Sequence, residues 1–159
     1  MTISLATLRT YVNKPMGDIC LNGFTDPGQN HCAHFVSHVL NIQYGALCNV
    51  MSSGPRAQSA TIRVNEIYNR LSNKGPWASK PSSADGLLIF VTSARNVSRA
   101  NVMAAVPRKH VGIHWGGQVF NFANAQHKVV EETVAAFHTR IQAAYSADND
   151  VSLFYGVVQ

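Results

Sequence analysis

Residues His110–Ala123, HVGIHWGGQVFNFA, contain two short apolar runs separated by the pair Gly116-Gly117. A Gly-Gly pair between two such runs is typical of a tight β-hairpin. Side chains alternate between the two faces of a strand, so Phe120 and Phe122 share one face and Asn121 lies on the other. The stretch therefore predicts an antiparallel hairpin whose phenylalanine face is turned toward the core.

The segments on either side of this hairpin complete an α+β pattern. The continuous apolar run Gly86–Thr92, GLLIFVT, predicts a buried strand. The chain begins with helical patterns and ends with mostly antiparallel strands, which favours an α+β domain. A single domain over residues 1–159 is expected from the length. The other predicted elements are helices at Leu5–Val12, Ala60–Leu71 and Glu132–Tyr145, a polar loop at Asn73–Asp85, and a closing strand at Val151–Val158.

Composition excludes several classes of protein. Of the 159 residues, 46% are hydrophobic and 13% are charged, which is ordinary for a globular protein. Apolar runs such as Leu87–Val91 are too short to span a bilayer, so no membrane span is expected. The net charge of +5 is spread along the chain without a dense basic block, and no nucleic acid partner is expected. The charge suits an anionic partner such as a cell-wall polymer.

Residues Asn30–Asn41, NHCAHFVSHVLN, predict a helix that begins near Cys32. Asn30 or His31 would lie near the N-cap, a position that asparagine favours. Cys32 would then occupy the first turn, where unpaired backbone N–H groups and the helix dipole stabilise negative charge. Such a position is expected to lower the pKa of a thiol, so Cys32 is a candidate nucleophile.

A cysteine nucleophile needs a base and a group that orients the base. His110, at the start of its strand, is the candidate base. An asparagine carbonyl can accept the second ring N–H of a histidine and fix its tautomer. Strand alternation places His110 and Asn121 on one face of the hairpin, which favours Asn121 as the third catalytic residue, with Asn124 as the alternative.

A metal site is a competing interpretation of the same helix, because His31, Cys32, His34 and His38 lie close together in sequence. His34 and His38 have the spacing of the HExxH motif of zinc proteases, but Phe35 stands where that motif has its glutamate. A second pair of metal ligands is not evident either. We therefore expect these two histidines on a solvated helix face, with no metal and no cofactor. Cys20 and Cys48 either form a disulfide or remain reduced.

Three stretches resemble a known family. CAHFVSHVL resembles the helix motif CSGFVxxVF of the NlpC-type cell-wall hydrolases, in the papain-like superfamily. HVGIHWGGQVFNFANAQHKVV resembles their second motif, HVGIYLGNGQFIHAxxxGKVV, and ADGLLIFVT resembles the preceding strand, PGDLVFF. The related CHAP amidases share the order of cysteine and histidine. The resemblance implies a papain-like fold, in which an N-terminal catalytic helix packs on an antiparallel sheet.

The resemblance also implies a cysteine hydrolase that cleaves amide bonds in peptidoglycan stem peptides. Cys32 would be the nucleophile and His110 the base. The third residue of the family aligns with Phe122, which cannot orient an imidazole, so that role is assigned to Asn121 or Asn124. The residues expected to contact the substrate are His31, His34 and Trp115.

The N-terminal residues MTISLATLRTYVNKP lack the layout of a secretory signal. The expectation is a protein made in the cytoplasm that acts in the periplasm or cell wall, either as a phage-type lysin or as an injected antibacterial effector. An effector of this kind would need a cognate immunity protein. The alternatives are an acyltransferase or deamidase acting on a protein, and a non-catalytic or zinc-binding domain.

Overall fold

The computed structural model describes residues 3–54, 57–83, 85–148 and 150–159. Its centre is a six-stranded sheet in which all neighbouring strands run antiparallel. The strands are β1 (Lys74–Pro76), β2 (Leu87–Ser93), β3 (Lys109–Trp115), β4 (Gln118–Ala123), β5 (Lys128–Thr133) and β6 (Val151–Gly156). Their order across the sheet is β1-β6-β2-β3-β4-β5. β2 is buried along its whole length, which explains its nearly continuous apolar sequence.

Helices cover both faces of this sheet. The helices are α1 (Leu5–Arg9), α2 (Cys32–Leu40), α3 (Val64–Arg70) and α4 (Val134–Ala144). On one face, α2 and α3 pack on a core to which β3 and β4 contribute Val111, Ile113, Phe120 and Phe122. On the other face, Phe137 and Ile141 of α4 pack against Val119 and its neighbours. In the described ranges, no helix has both the length and the apolarity needed to cross a membrane.

The hairpin prediction is confirmed. β3 and β4 pair antiparallel around Gly116 and Gly117, which both have positive φ, +57° and +80°, as the tight turn requires. The phenylalanines of β4 face the α2 side, and Val119 faces the α4 side. Because a strand alternates its side chains, His110 and Asn121 both lie on the α4 side.

Several predicted boundaries are wrong. The helix predicted from Glu132 begins at Val134, where Thr133 caps it, because residues 128–133 form β5 and pair along the whole of β4. The predicted loop Asn73–Asp85 contains β1, which pairs with β6 at the sheet edge, and Ala84 of that loop lies outside the described residues. The helix predicted from Ala60 begins at Val64, since Thr61 is held in an extended segment by a backbone bond to Ile42.

Gly112 provides a test of the close packing between β3 and β4. A Cβ added there would lie 2.6 Å from Val119 Cγ1 and 3.0 Å from Asn121 Cβ. Gly112→Ala is therefore expected to lower the free energy of unfolding by about 1–3 kcal/mol, as overpacking typically does. Urea denaturation measures the change. The control is Gly17→Ala, because a Cβ at exposed Gly17 meets nothing within 4 Å. Equal stability of the two variants would contradict the packing described.

Candidate active site

Cys32 begins α2, as the sequence predicts, and its thiol lies against the strand that carries His110. Sγ is 4.0 Å from the carbonyl oxygen of Lys109, and the backbone N–H of Val111 donates to the same sulfur. These two backbone groups flank His110 along β3. The Cys32 thiol is thus held beside the strand position that bears the candidate base. Among the described residues, no hydrogen bond joins Sγ to the His110 ring.

Two asparagines hold the N-terminus of α2 in place. Asn30 Oδ1 accepts the backbone N–H of Cys32 at 3.0 Å, and its Nδ2 donates to the Lys109 carbonyl at 3.5 Å. Asn124 accepts the backbone N–H of His31 at 2.9 Å and donates to Asn30 Oδ1 at 2.9 Å. Asn30 is exposed whereas Cys32 is 1% exposed. The Asn30 side chain therefore links α2 to β3 beside the thiol and occupies the backbone N–H of Cys32.

On the α4 side of the sheet, Asn121 is the centre of a buried polar network. Its Oδ1 lies 2.9 Å from His110 Nε2 and accepts a hydrogen bond from Arg140 Nη2, also at 2.9 Å. Its Nδ2 donates to Glu132 Oε1 at 3.0 Å. Arg140 and Glu132 are in turn joined by a salt bridge. His110 is 3% exposed and Asn121 is 0% exposed, so the network is closed to solvent at its core.

This network determines which nitrogen of His110 carries the proton. Arg140 can only donate and the Glu132 carboxylate can only accept, which fixes the Asn121 amide with Oδ1 toward the histidine. An oxygen can only accept, so His110 Nε2 must be the protonated nitrogen. In the neutral ring, Nδ1 then has a free lone pair. Nδ1 is thus the ring nitrogen that is able to accept a proton.

Burial makes both candidate catalytic groups neutral at rest. Desolvation raises the pKa of Cys32 to about 11, against the smaller opposing effect of the backbone N–H donors around it. Desolvation also lowers the pKa of His110 to about 4, with Arg140 lowering it further and the Asn121 bond and Glu132 opposing the change. The predicted lowering of the thiol pKa is wrong because burial outweighs the helix terminus. A neutral imidazole is, however, the form that acts as a general base.

The residues expected to contact a substrate lie elsewhere. His31 and His34 are buried and bonded to each other through their Nδ1 atoms at 3.1 Å, so neither presents a free ring to a groove. Trp115 lies at the opposite end of β3 from His110, about 16 Å along the strand at the usual rise per residue. It lines a separate cavity of about 270 Å³ together with Leu40 at the far end of α2.

The histidines of α2 also differ from the prediction of a solvated helix face. His34 is buried and His38 is half-buried. In the described part of the chain, their ring nitrogens approach the sulfurs of Cys20 and Cys48, and these four residues are close enough to hold a metal ion. Cys32 is not one of the four. Cys20 and Cys48 are free thiols, with 3.9 Å between their sulfurs, rather than a disulfide.

Sequence reasoning found Cys32, His110 and Asn121 but missed the residues that position them. Glu132 and Arg140 are brought to Asn121 by β5 and α4, and β5 was itself not predicted. Glu132 and Arg140 lie on either side of the junction between β5 and α4. Their spacing in the sequence indicates a shared site only when β5 is recognised as a strand. Asn30 was considered only as a helix cap.

Arg140 provides a test of the electrostatics around His110. Its guanidinium disfavours the imidazolium, so Arg140→Gln is expected to raise the His110 pKa above its value of about 4. Nuclear magnetic resonance titration of the ring protons measures this pKa. The control is Arg9→Gln, which removes an exposed arginine paired with Glu131. An unchanged or lowered His110 pKa in Arg140→Gln would contradict the network described.

Comparison with models of protein families, with characterised proteins and with solved structures finds no match to this chain. The geometry supports a buried thiol beside a strand whose histidine has one nitrogen fixed as a donor and the other free as a base.

Proposed function

We propose that the protein is a cysteine hydrolase of the papain-like type that cleaves amide bonds in peptidoglycan stem peptides. The observation that carries the catalytic part is the bond between His110 and Asn121, with the amide orientation fixed by Arg140 and Glu132. This arrangement supports His110 Nδ1 as the base. The choice of substrate rests on the motifs that resemble the NlpC-type hydrolases, and the positive net charge suits an anionic wall polymer.

Cys32 belongs to the core on the α2 side of the sheet, whereas the His110 ring lies on the α4 side. In the proposed reaction, the Cys32 thiol reaches past the β3 backbone to His110 and gives its proton to Nδ1 as Sγ attacks the substrate carbonyl. The imidazolium then protonates the leaving amine, and the C–N bond breaks to leave a thioester on Cys32. His110 next takes a proton from water, and the hydroxide attacks the thioester. The carboxylic acid leaves and the thiol recovers its proton from His110. Asn121 holds the Nε2–H throughout, so that Nδ1 remains the exchanging atom.

Substrate access requires a change at Asn30. At rest, this side chain occupies the Cys32 backbone N–H. Displacement of the exposed Asn30 side chain by the substrate would free that N–H to stabilise the oxyanion of the tetrahedral intermediate.

Removal of the nucleophile or the base tests the proposal directly. Cys32→Ala should abolish solubilisation of purified sacculi, and His110→Ala should lower the rate by on the order of 100- to 10,000-fold. The rate is measured as the release of soluble muropeptides, identified by mass spectrometry. The control is His127→Asn, at an exposed histidine with positive φ that asparagine tolerates. Full activity in either folded active-site variant would refute the proposal, and release of amine-substituted products would indicate acyl transfer instead of hydrolysis.

A comparison of the two asparagines tests the assignment of the third residue. Asn121→Ala is expected to lower turnover by on the order of 10- to 1000-fold, because the ring loses its fixed tautomer. Asn124→Ala loosens the start of α2 without touching His110, so a smaller loss is expected. Melting temperatures show whether each variant is folded. Near-normal turnover in Asn121→Ala, with Asn124→Ala inactive, would assign the role to Asn124.

The proposed setting is the bacterial periplasm, with a cognate immunity protein as partner if the protein is an antibacterial effector. Expression directed to the periplasm is expected to lyse cells, because the peptidoglycan lies there. Expression confined to the cytoplasm should be tolerated. The Cys32→Ala variant is the control and should be harmless in both compartments. Equal toxicity of the active protein in the two compartments would point to a cytosolic target.

A further inference from the structure

A second cluster of reactive side chains lies where α2 meets the segments that carry Cys20 and Cys48, apart from the Cys32 thiol. Its members are Cys20, His34, His38 and Cys48, and their ligand atoms all lie within 4.8 Å of one another. They come from three separate parts of the chain. Cys20 follows the short 3-10 helix Met16–Asp18, the two histidines lie one turn apart on α2, and Cys48 lies in the loop after α2. Three of the four are buried and His38 is half-buried.

Three of the separations among the four ligand atoms are close to those of a tetrahedral metal site, and all six are below 4.8 Å. Cys20 Sγ and Cys48 Sγ are 3.9 Å apart, Cys48 Sγ and His38 Nε2 are 3.7 Å apart, and His38 Nε2 and His34 Nε2 are 3.1 Å apart. Zinc bonds to sulfur and to imidazole nitrogen imply separations of about 3.8, 3.5 and 3.3 Å, respectively, around one tetrahedral ion. A disulfide would need the two sulfurs at about 2.05 Å. The cluster therefore fits a shared ion better than a covalent bridge.

The hydrogen bonds on the Nδ1 side of the His34 ring leave its Nε2 atom free to bind a metal. The carbonyl oxygen of Asp26 lies 2.7 Å from His31 Nε2 and can only accept, so this nitrogen carries the proton of His31. His31 Nδ1 is then an acceptor in the neutral ring, and His34 Nδ1, 3.1 Å away, must donate to it. His34 Nε2 is thereby left with a bare lone pair, directed into the cluster. Metal-binding histidines are typically oriented in this way by a partner at the other ring nitrogen.

Each of the two sulfurs accepts a hydrogen bond from at least one N–H donor of the kind that stabilises a thiolate. The backbone N–H groups of Asn22 and Phe24 donate to Cys20, in a turn where Gly23 has a φ of +80°. The Asn22 side chain donates through Nδ2 to Cys48 Sγ at 3.4 Å. Such donors stabilise the charge of a coordinating thiolate and hold its position. They act on the two cysteines of the cluster, and Asn22 is itself fully buried.

We propose that Cys20, His34, His38 and Cys48 bind a structural Zn²⁺ ion. Two thiolates and two neutral imidazoles complete a tetrahedral, electrically neutral site, and binding releases the two thiol protons. Soft sulfur ligands combined with imidazole in this geometry are typical of zinc. All four positions are filled by the protein, as in structural rather than catalytic zinc sites. The ion would tie the loops around Cys20 and Cys48 to the helix that begins with Cys32.

Metal content of the full-length protein, purified without a histidine tag, tests this proposal. Elemental mass spectrometry is expected to find about one zinc ion per chain in the wild type. Cys48→Ser and His38→Gln should each lose most of the metal. The matched controls are Cys32→Ser and His127→Asn, which should retain it, because neither residue belongs to the cluster.

Cobalt substitution provides a measurement that needs no variant to fold. Co²⁺ bound to the wild-type protein should give the visible absorption of a tetrahedral ion and the near-ultraviolet bands of cobalt–thiolate bonds. The proposal would be overturned by an octahedral cobalt spectrum or by the absence of stoichiometric metal. It would equally be overturned by a Cys20–Cys48 disulfide in the purified protein or by full zinc retention in Cys48→Ser. The activity of Cys32 is measured separately, so failure of the zinc site leaves the proposed hydrolase function untouched.

Discussion

The hydrogen bond from His110 Nε2 to Asn121 Oδ1 is the interaction on which the account of the candidate site depends. A buried imidazole has two nitrogens with opposite roles, and its chemistry is decided by which one is held as the donor. Asn121 holds Nε2 in that state because Arg140 and Glu132 prevent its amide from turning over. The salt bridge between Arg140 of α4 and Glu132 of β5 thereby orients the Asn121 carboxamide, and the carboxamide in turn fixes the tautomer of His110 on β3.

Burial shapes the same site in a second way. The helix terminus and the nearby N–H groups favour a thiolate at Cys32, yet the fully buried sulfur keeps its proton because desolvation is the larger effect. The histidine is kept neutral by the same cause. The resting site therefore contains a neutral thiol and a neutral base. In the proposed reaction, proton transfer would then be coupled to substrate attack, rather than completed in advance as an ion pair.

The local patterns of the sequence predicted the elements that hold the candidate site, and long-range packing supplied the rest. Strand alternation and the Gly116-Gly117 turn were enough to pair His110 with Asn121. β5 and the position of Arg140 could not be predicted in the same way, because both depend on the long-range pairing of β5 with β4. The proposed metal cluster could not be predicted, because Cys20 and Cys48 reach α2 through loops. Hydrophobic periodicity predicts helices and strands but not the path of a loop. His34 and His38 were consequently assigned to solvent.

The role of Asn121 in fixing the His110 ring is tested most directly by measuring the tautomer of that ring. Nitrogen-15 nuclear magnetic resonance of the wild-type protein at pH 7 distinguishes protonated from bare ring nitrogens. We expect a neutral ring with its proton on Nε2 and a bare Nδ1. A proton on Nδ1, or a doubly protonated ring at pH 7, would contradict the role given to Asn121 and to His110 as the base for Cys32.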